Sequence, residues 1–287
     1  MFRSEFWGRY LGEDSEIRRR VNGVGWGRWS GGPRDDEFRE LPAEGAGSGV
    51  WGAFTEGLHS LRKSAEKQWL SLGEPERCVL SVVAVNVAVF ALWRLTPLRL
   101  QYRMRQVFTH KPFSHRVYPM LTSVFSHYSL PHLGFNMLAL YSFGVPYARE
   151  HGGDEFLAFF VSAGVLSSYG SLLYKVLARV SAPSIGASGA VFALFADFAL
   201  ANPDARLYIV LLPFWEIPAL STMYALVGVD VLGCLLGWRV LDHAAHLSGT
   251  LFGAWYHTFG HDAIWGNRDV VVRARDRVQA AYERLVK

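Results

Sequence analysis

Residues 156–174 read Phe-Leu-Ala-Phe-Phe-Val-Ser-Ala-Gly-Val-Leu-Ser-Ser-Tyr-Gly-Ser-Leu-Leu-Tyr, nineteen positions without a charge between Glu155 and Lys175. A bilayer core of about 30 Å takes roughly 20 helical residues, so this stretch is long and apolar enough to cross it. Five further runs resemble it: 78–93, 131–148, 180–196, 217–238 (broken only by Asp230) and 243–261. The first reaches spanning length once Leu95 and its flanks are counted, and the fourth continues apolar past Asp197 to Ala201. Six membrane helices are expected, in an all-α polytopic protein.

The composition agrees. Of 287 residues 51% are hydrophobic and 19% charged, and the charges crowd into residues 1–77 and 262–287. A soluble domain carries about 25% charge and spreads it over every surface helix, which argues against a soluble or disordered chain. With 29 basic and 25 acidic residues and no basic stripe interleaved with aromatics, nucleic acid is not an expected partner. The two cysteines, Cys78 and Cys234, lie in apolar runs without metal spacing and read as buried hydrophobes. Residues 1–77 are polar and contain the linker-like Gly45-Ala46-Gly47-Ser48-Gly49, so a flexible N-terminal region is expected there. Residues 78–261 form the membrane domain, and 262–287 a charged tail with a surface helix. Residues 96–130 are too apolar for a free loop and are expected in the interface.

The second, fourth and sixth helices cross in one direction, and each has a polar group near its start: His132 and Asn136, Ser188, and His246. Polar groups in a bilayer are costly and face the bundle interior, so their shared shallow depth marks a site. Ser188 lies in Gly186-Ala187-Ser188-Gly189-Ala190, where small neighbours let another backbone approach its hydroxyl. Serine in a first helical turn also has unpaired backbone N–H groups nearby, suited to an oxyanion. His246 precedes Gly249 by three residues and shares its face with Gly249 and Gly253, a small-xxx-small contact surface. If the partner helix is the fourth, His246 is placed to take the Ser188 proton. His132 and Asn136, at i and i+4, share a face and both can donate hydrogen bonds to an oxyanion.

For each feature there is a plainer reading: a helix-packing surface for the serine motif, and interhelical hydrogen bonds for the histidines and the asparagine. No third catalytic member stands out. Asp197 falls on the face opposite Ser188, Asp242 sits at the membrane edge, and Asp230 reads as structural or solvent-linked, so a Ser–His dyad is expected. The rival chemistry is a metal or haem held by His127, His132, His243 and His246. No H-E-x-x-H motif supports zinc proteolysis.

Taken together, Gly186-Ala187-Ser188-Gly189-Ala190, Ala245-His246-x-x-Gly249-x-x-x-Gly253 and His132-x-x-x-Asn136 resemble the rhomboid intramembrane serine proteases in order, helix parity and separation. The likeness spans residues 76–262. Leu130-Pro131-His132 after Phe125-Ser126-His127, Pro183-Ser184-Ile185, Phe214, and Gly237-Trp238-Arg239 with Asp242-His243-Ala244-Ala245-His246 are similar to the mitochondrial presenilin-associated rhomboid-like branch. So is the tail from Tyr256 through Gly260-His261 to Trp265. The resemblance implies a six-helix core, Ser188 as nucleophile and His246 as base, with His243 outside the dyad. It also implies an oxyanion hole of His132, Asn136 and the Ser188 N–H, and no cofactor or metal. Its implied partners are transmembrane protein substrates and the lipid bilayer, and its implied location the mitochondrial inner membrane. A catalytically silent relative that binds and steers transmembrane clients is the alternative. Two departures stand out: residues 1–77 hold no extra membrane span ahead of the core, and residues 96–130 lack the Trp-Arg pair of bacterial rhomboids.

Overall fold

A computed structural model of the chain describes residues 50–209 and 212–266. Its elements are α1 (Val50–Ser71), α2 (Glu74–Leu95), α3 (Leu98–Phe108), α4 (Pro119–Thr122) with a 3₁₀ turn at Ser123–Phe125, α5 (Leu130–His151), α6 (Gly153–Leu177) and α7 (Ser188–Ala201). A two-stranded ribbon follows, β1 (Arg206–Ile209) and β2 (Leu212–Pro218), then α8 (Ala219–Leu236), α9 (His243–Trp255), a π-helical turn (Tyr256–Gly260) and α10 (His261–Trp265). The surface helix expected after residue 267 lies outside the described residues.

The described residues divide into two units after Ala65. Within the expected flexible region, residues 50–71 are helical. Trp51, Phe54, Leu58 and Leu61 recur there at helical spacing, with Trp51 and Phe54 edge-to-face at 6.2 Å. Local amphipathic spacing was the signal for this helix.

Among the described residues of the second unit, α2, α6 and α8 are the helices that are long and apolar enough to cross a bilayer. Helix α5 has 22 residues but carries charge in its last turn. Helix α7 has only 14 residues, about 21 Å at 1.5 Å per residue, short of a full bilayer core. The fourth apolar run is therefore only partly helical. Residues 180–185 are non-helical chain, pinned by paired backbone bonds between His110 and Ser184, and residues 186–187 bend into α7. Non-helical backbone at membrane depth is tolerated only where protein or a polar cavity satisfies it. Segment 96–130 folds around α3, which carries Arg99, Arg103 and Arg105.

Helix α7 is the buried centre: Ala190, Ala193, Leu194, Ala196 and Ala199 have almost no exposed surface. Alanines there let neighbours approach closely. A Cβ on Gly249 would strike the Gly189 carbonyl oxygen, and one on Gly253 that of Ala193. The glycine face of the sixth spanning segment thus makes the close helix contact that the small-xxx-small spacing predicts, and the structure identifies its partner as the fourth. Phe156, Phe159, Phe160, Leu140 and Val79 fill the space between α2, α5 and α6. A single residue, Gly152, joins α5 to α6 at φ +90°, a conformation open only to glycine without strain.

Candidate active site

Ser188 is the first residue of α7, and no side chain caps that helix. Its first-turn N–H groups lie beside the hydroxyl, at the positive end of the helix dipole. Gly186, two residues earlier, adopts φ +124°, and a Cβ there would come within 2.8 Å of the His132 ring. Only glycine lets the loop turn this sharply while lying against the imidazole.

The glycine-mediated contact of α9 with α7 brings His246 Nε2 to 3.0 Å from Ser188 Oγ. The His246 ring stacks on Phe192, one turn along α7 from Ser188, with centroids 4.2 Å apart and planes within 7°. That contact fixes the plane of the imidazole. Its other nitrogen, Nδ1, lies 3.3 Å from Asp230 Oδ1 on α8. A carboxylate only accepts, so Nδ1 carries the proton and Nε2 presents a lone pair to the serine hydroxyl. The same oxygen accepts from His243 Nδ1 at 2.7 Å. Asp230 and both histidines are buried. A carboxylate therefore does face His246, and the expectation that Asp230 is merely structural does not describe its position. Sequence spacing could not find it, because Asp230 and His246 belong to different helices whose relative rotation is a tertiary fact. The i,i+4 spacing of Ser188 and Phe192 was a usable signal.

His132 lines the same cavity as Ser188 and His246, a space of about 760 Å³. Its Nδ1 is buried without a hydrogen-bond partner. Asn136 is buried one turn along α5 and donates its amide to the His132 carbonyl at 2.8 Å. Asn136 is not among the residues lining the cavity. His127 packs its ring 4.9 Å from His132 and accepts from the Ala187 N–H at 3.5 Å through Nε2. Burial, reinforced by repulsion from His132, pushes the His127 imidazole down to about 3, so it is neutral at physiological pH. The four histidines of the metal or haem alternative thus divide into two pairs with different partners, one beside Ala187 and one around Asp230.

A buried ionic cluster braces the start of α9. Asp242 accepts from Lys175 Nζ at 2.6 Å, from Ser184 Oγ at 2.7 Å and from Ser171 Oγ at 2.7 Å. It also accepts from the Ala245 N–H at 3.3 Å, capping the helix that carries His246. Burial pushes its carboxyl up, but the Lys175 charge and the hydrogen bonds from Lys175, Ser184 and Ser171 outweigh that and hold it below the usual aspartate range. Asp197, predicted to face away from Ser188, pairs instead with His257 at 3.1 Å, beyond the far end of α9.

Comparison with known proteins places this geometry in context. The rhomboid domain model matches residues 114–262, half of the chain. The mouse presenilin-associated rhomboid-like protein, mitochondrial (Mus musculus), is 42% identical over 215 residues, covering 75% of this chain and 56% of its own length. Rhomboid protein 1, mitochondrial, of Saccharomyces cerevisiae is 33% identical over 207 residues, or 71% of this chain and 59% of its own. RHOMBOID-like protein 12, mitochondrial, of Arabidopsis thaliana is 31% identical over 205 residues. The chain thus spans little more than half the length of these relatives. With a matching domain over the helices that carry the site, this multi-pass, six-spanning membrane protein belongs to the rhomboid family.

Proposed function

We propose that the chain is an intramembrane serine endopeptidase that cleaves membrane-anchored proteins in or near their transmembrane segments. The observation that carries this reading is the 3.0 Å approach of His246 Nε2 to Ser188 Oγ at the wall of an open cavity. Ser188 Oγ attacks the scissile carbonyl carbon as its proton passes to His246 Nε2. The imidazolium that forms is stabilised by Asp230 through Nδ1, which makes Asp230 a positioning residue for the base. The developing oxyanion is received by the Ser188 N–H and by His132 and Asn136 after their amide and ring turn toward it. His246 then gives the proton to the leaving amine. Water entering through the cavity, activated by the same imidazole, hydrolyses the acyl-enzyme and restores Ser188.

A substrate helix must unwind locally to expose its carbonyl, because a hydrogen-bonded backbone blocks attack. Small helix-breaking residues at the cleavage site should therefore favour turnover. We assign residues 78–261 to the protease domain, 1–77 to a polar N-terminal region and 262–287 to a charged tail. The relatives from mouse, yeast and Arabidopsis are all named as mitochondrial proteins, which supports placement in the mitochondrial inner membrane. Labelling of detergent-purified protein with a serine-directed fluorophosphonate, alongside Ser188→Ala, tests the reading. Labelling lost in the variant is expected. Well-folded wild-type protein that neither labels nor cleaves a transmembrane substrate would overturn it in favour of a silent, client-binding relative.

A further inference from the structure

A second group of histidines and a carboxylate lies at the opposite ends of the helices. His151 ends α5, Glu155 is in the first turn of α6, and His261 begins α10 after the π-helical turn. Helices α5 and α9 both run from the serine site toward this end. His261 follows His246 by fifteen residues, which puts the two groups roughly 20 Å apart along the axis.

The geometry has the parts of a metal centre. One ligand atom from each of His151, Glu155 and His261 lies within 4.8 Å of the other two. Glu155 is buried, whereas both histidines are partly open, so an ion has a route in. The carboxylate is oriented by hydroxyls from Tyr147 at 3.3 Å and Tyr256 at 3.0 Å, and Trp265 Nε1 donates onto the Tyr256 oxygen at 2.6 Å. Tyr147 also stacks on the His151 ring, with centroids 4.5 Å apart. Such outer partners hold first ligands in place in metal sites.

His261 Nδ1 lies 2.7 Å from Glu155 Oε1, the oxygen that both tyrosines already address. The two lone pairs of that oxygen face three donors, so an ion that takes His261 Nδ1 displaces a proton from the most crowded of these contacts. Four-coordinate zinc holds imidazole nitrogens at about 2.0–2.1 Å and carboxylate oxygens at about 2.0–2.2 Å, so its ligand atoms stand roughly 3.3 Å apart and the His261 ring must swing outward from Glu155 to admit the ion. The π-helical turn, closed by the His261 N–H on the Tyr256 carbonyl, sets the register that aims His261 at Glu155. Such turns recur at functional sites.

We propose that His151, Glu155 and His261 bind a divalent transition-metal ion of the zinc class, which clamps the segment following the histidine-bearing helix to the α5–α6 turn. Two imidazoles and one carboxylate leave a fourth position for water. This site does not depend on the protease reading. It differs from the Asp230, His243 and His246 group, in which His246 Nε2 faces Ser188 Oγ.

The test uses the full chain purified on a tag without histidines, stripped with a chelator and titrated with Zn²⁺ against a chromophoric competitor. Co²⁺ absorption serves as a second probe. One equivalent is expected to bind, and thermal unfolding to move several degrees upward with Zn²⁺. His151→Ala and the isosteric Glu155→Gln should each weaken binding at least tenfold and remove the thermal shift, with the same size-exclusion elution as wild type. Asp230→Asn should bind as wild type does. Absence of binding, binding indifferent to His151→Ala and Glu155→Gln, or binding lost in Asp230→Asn would each overturn the proposal. Fluorophosphonate labelling of Ser188 is a separate readout, so either idea can fail alone.

Discussion

The two ends of the α5, α7 and α9 bundle hold histidine and carboxylate groups of similar composition, arranged to opposite effect. At the serine end, Asp230 backs His246 from behind and leaves the Nε2 lone pair facing a hydroxyl in an open cavity. At the far end, Glu155 sits in the middle, and Tyr147, Tyr256 and His261 turn their donors inward to it. The first arrangement keeps one strong acceptor free, as a base requires. The second directs its groups to a single point, as a structural clamp requires. Buried polar groups must be satisfied in either case, and which atom remains unpaired separates chemistry from bracing.

The largest expected effect breaks the serine end alone. Ser188→Ala and His246→Ala should each lower cleavage of a transmembrane substrate by several orders of magnitude, to near background, with expression and elution unchanged. Full activity in either variant would remove the distinction between the two ends.

Asp230→Asn comes next. Loss of the carboxylate behind a catalytic imidazole lowers kcat by up to about 10⁴ in the serine protease template, and the 3.3 Å contact here predicts a fall of roughly 10²–10⁴ with KM little changed. An unchanged kcat would mean that Asp230 serves His243 only.

Gly249→Val pushes α9 off the Gly189 carbonyl. Overpacking a tight contact costs typically about 1–3 kcal/mol, so unfolding temperature and cleavage should both fall. A variant as stable and active as wild type would show that α7 and α9 can separate without disturbing Ser188 and His246.

Asp242→Asn probes pH. The folded carboxyl titrates below its unfolded value, so its stabilisation is present above about pH 5 and is lost as pH falls through the lowered folded value. Thermal unfolding followed from pH 7 downward should show a steeper acid loss in wild type than in the variant. Identical profiles would place the acid sensitivity elsewhere. The smallest effect on cleavage is expected for Asp197→Asn, whose partner His257 belongs to the far end. Cleavage should stay within a few-fold of wild type, and a loss as large as that of Ser188→Ala would assign Asp197 to the chemistry.

The sequence by itself determined the membrane class, the six apolar segments and the glycine face on which α9 meets a close neighbour, whereas tertiary packing made that neighbour α7. Uncharged length and the Gly249 and Gly253 spacing are local, one-dimensional signals with a direct physical meaning. That Ser188, His132 and His246 share one cavity was legible from polar groups at matched depth in helices of one direction, whereas Asn136 stands outside that lining. Only the tertiary structure decided that the fourth segment begins as non-helical chain, because that depends on whether protein surrounds residues 180–187. Tertiary contact alone also selected Asp230 as the carboxylate behind His246 and joined Lys175 to Asp242 across 67 residues. The His151, Glu155 and His261 group likewise has no shared spacing to read. Each of these depends on how one helix is rotated and shifted against another, and hydropathy carries no record of that rotation.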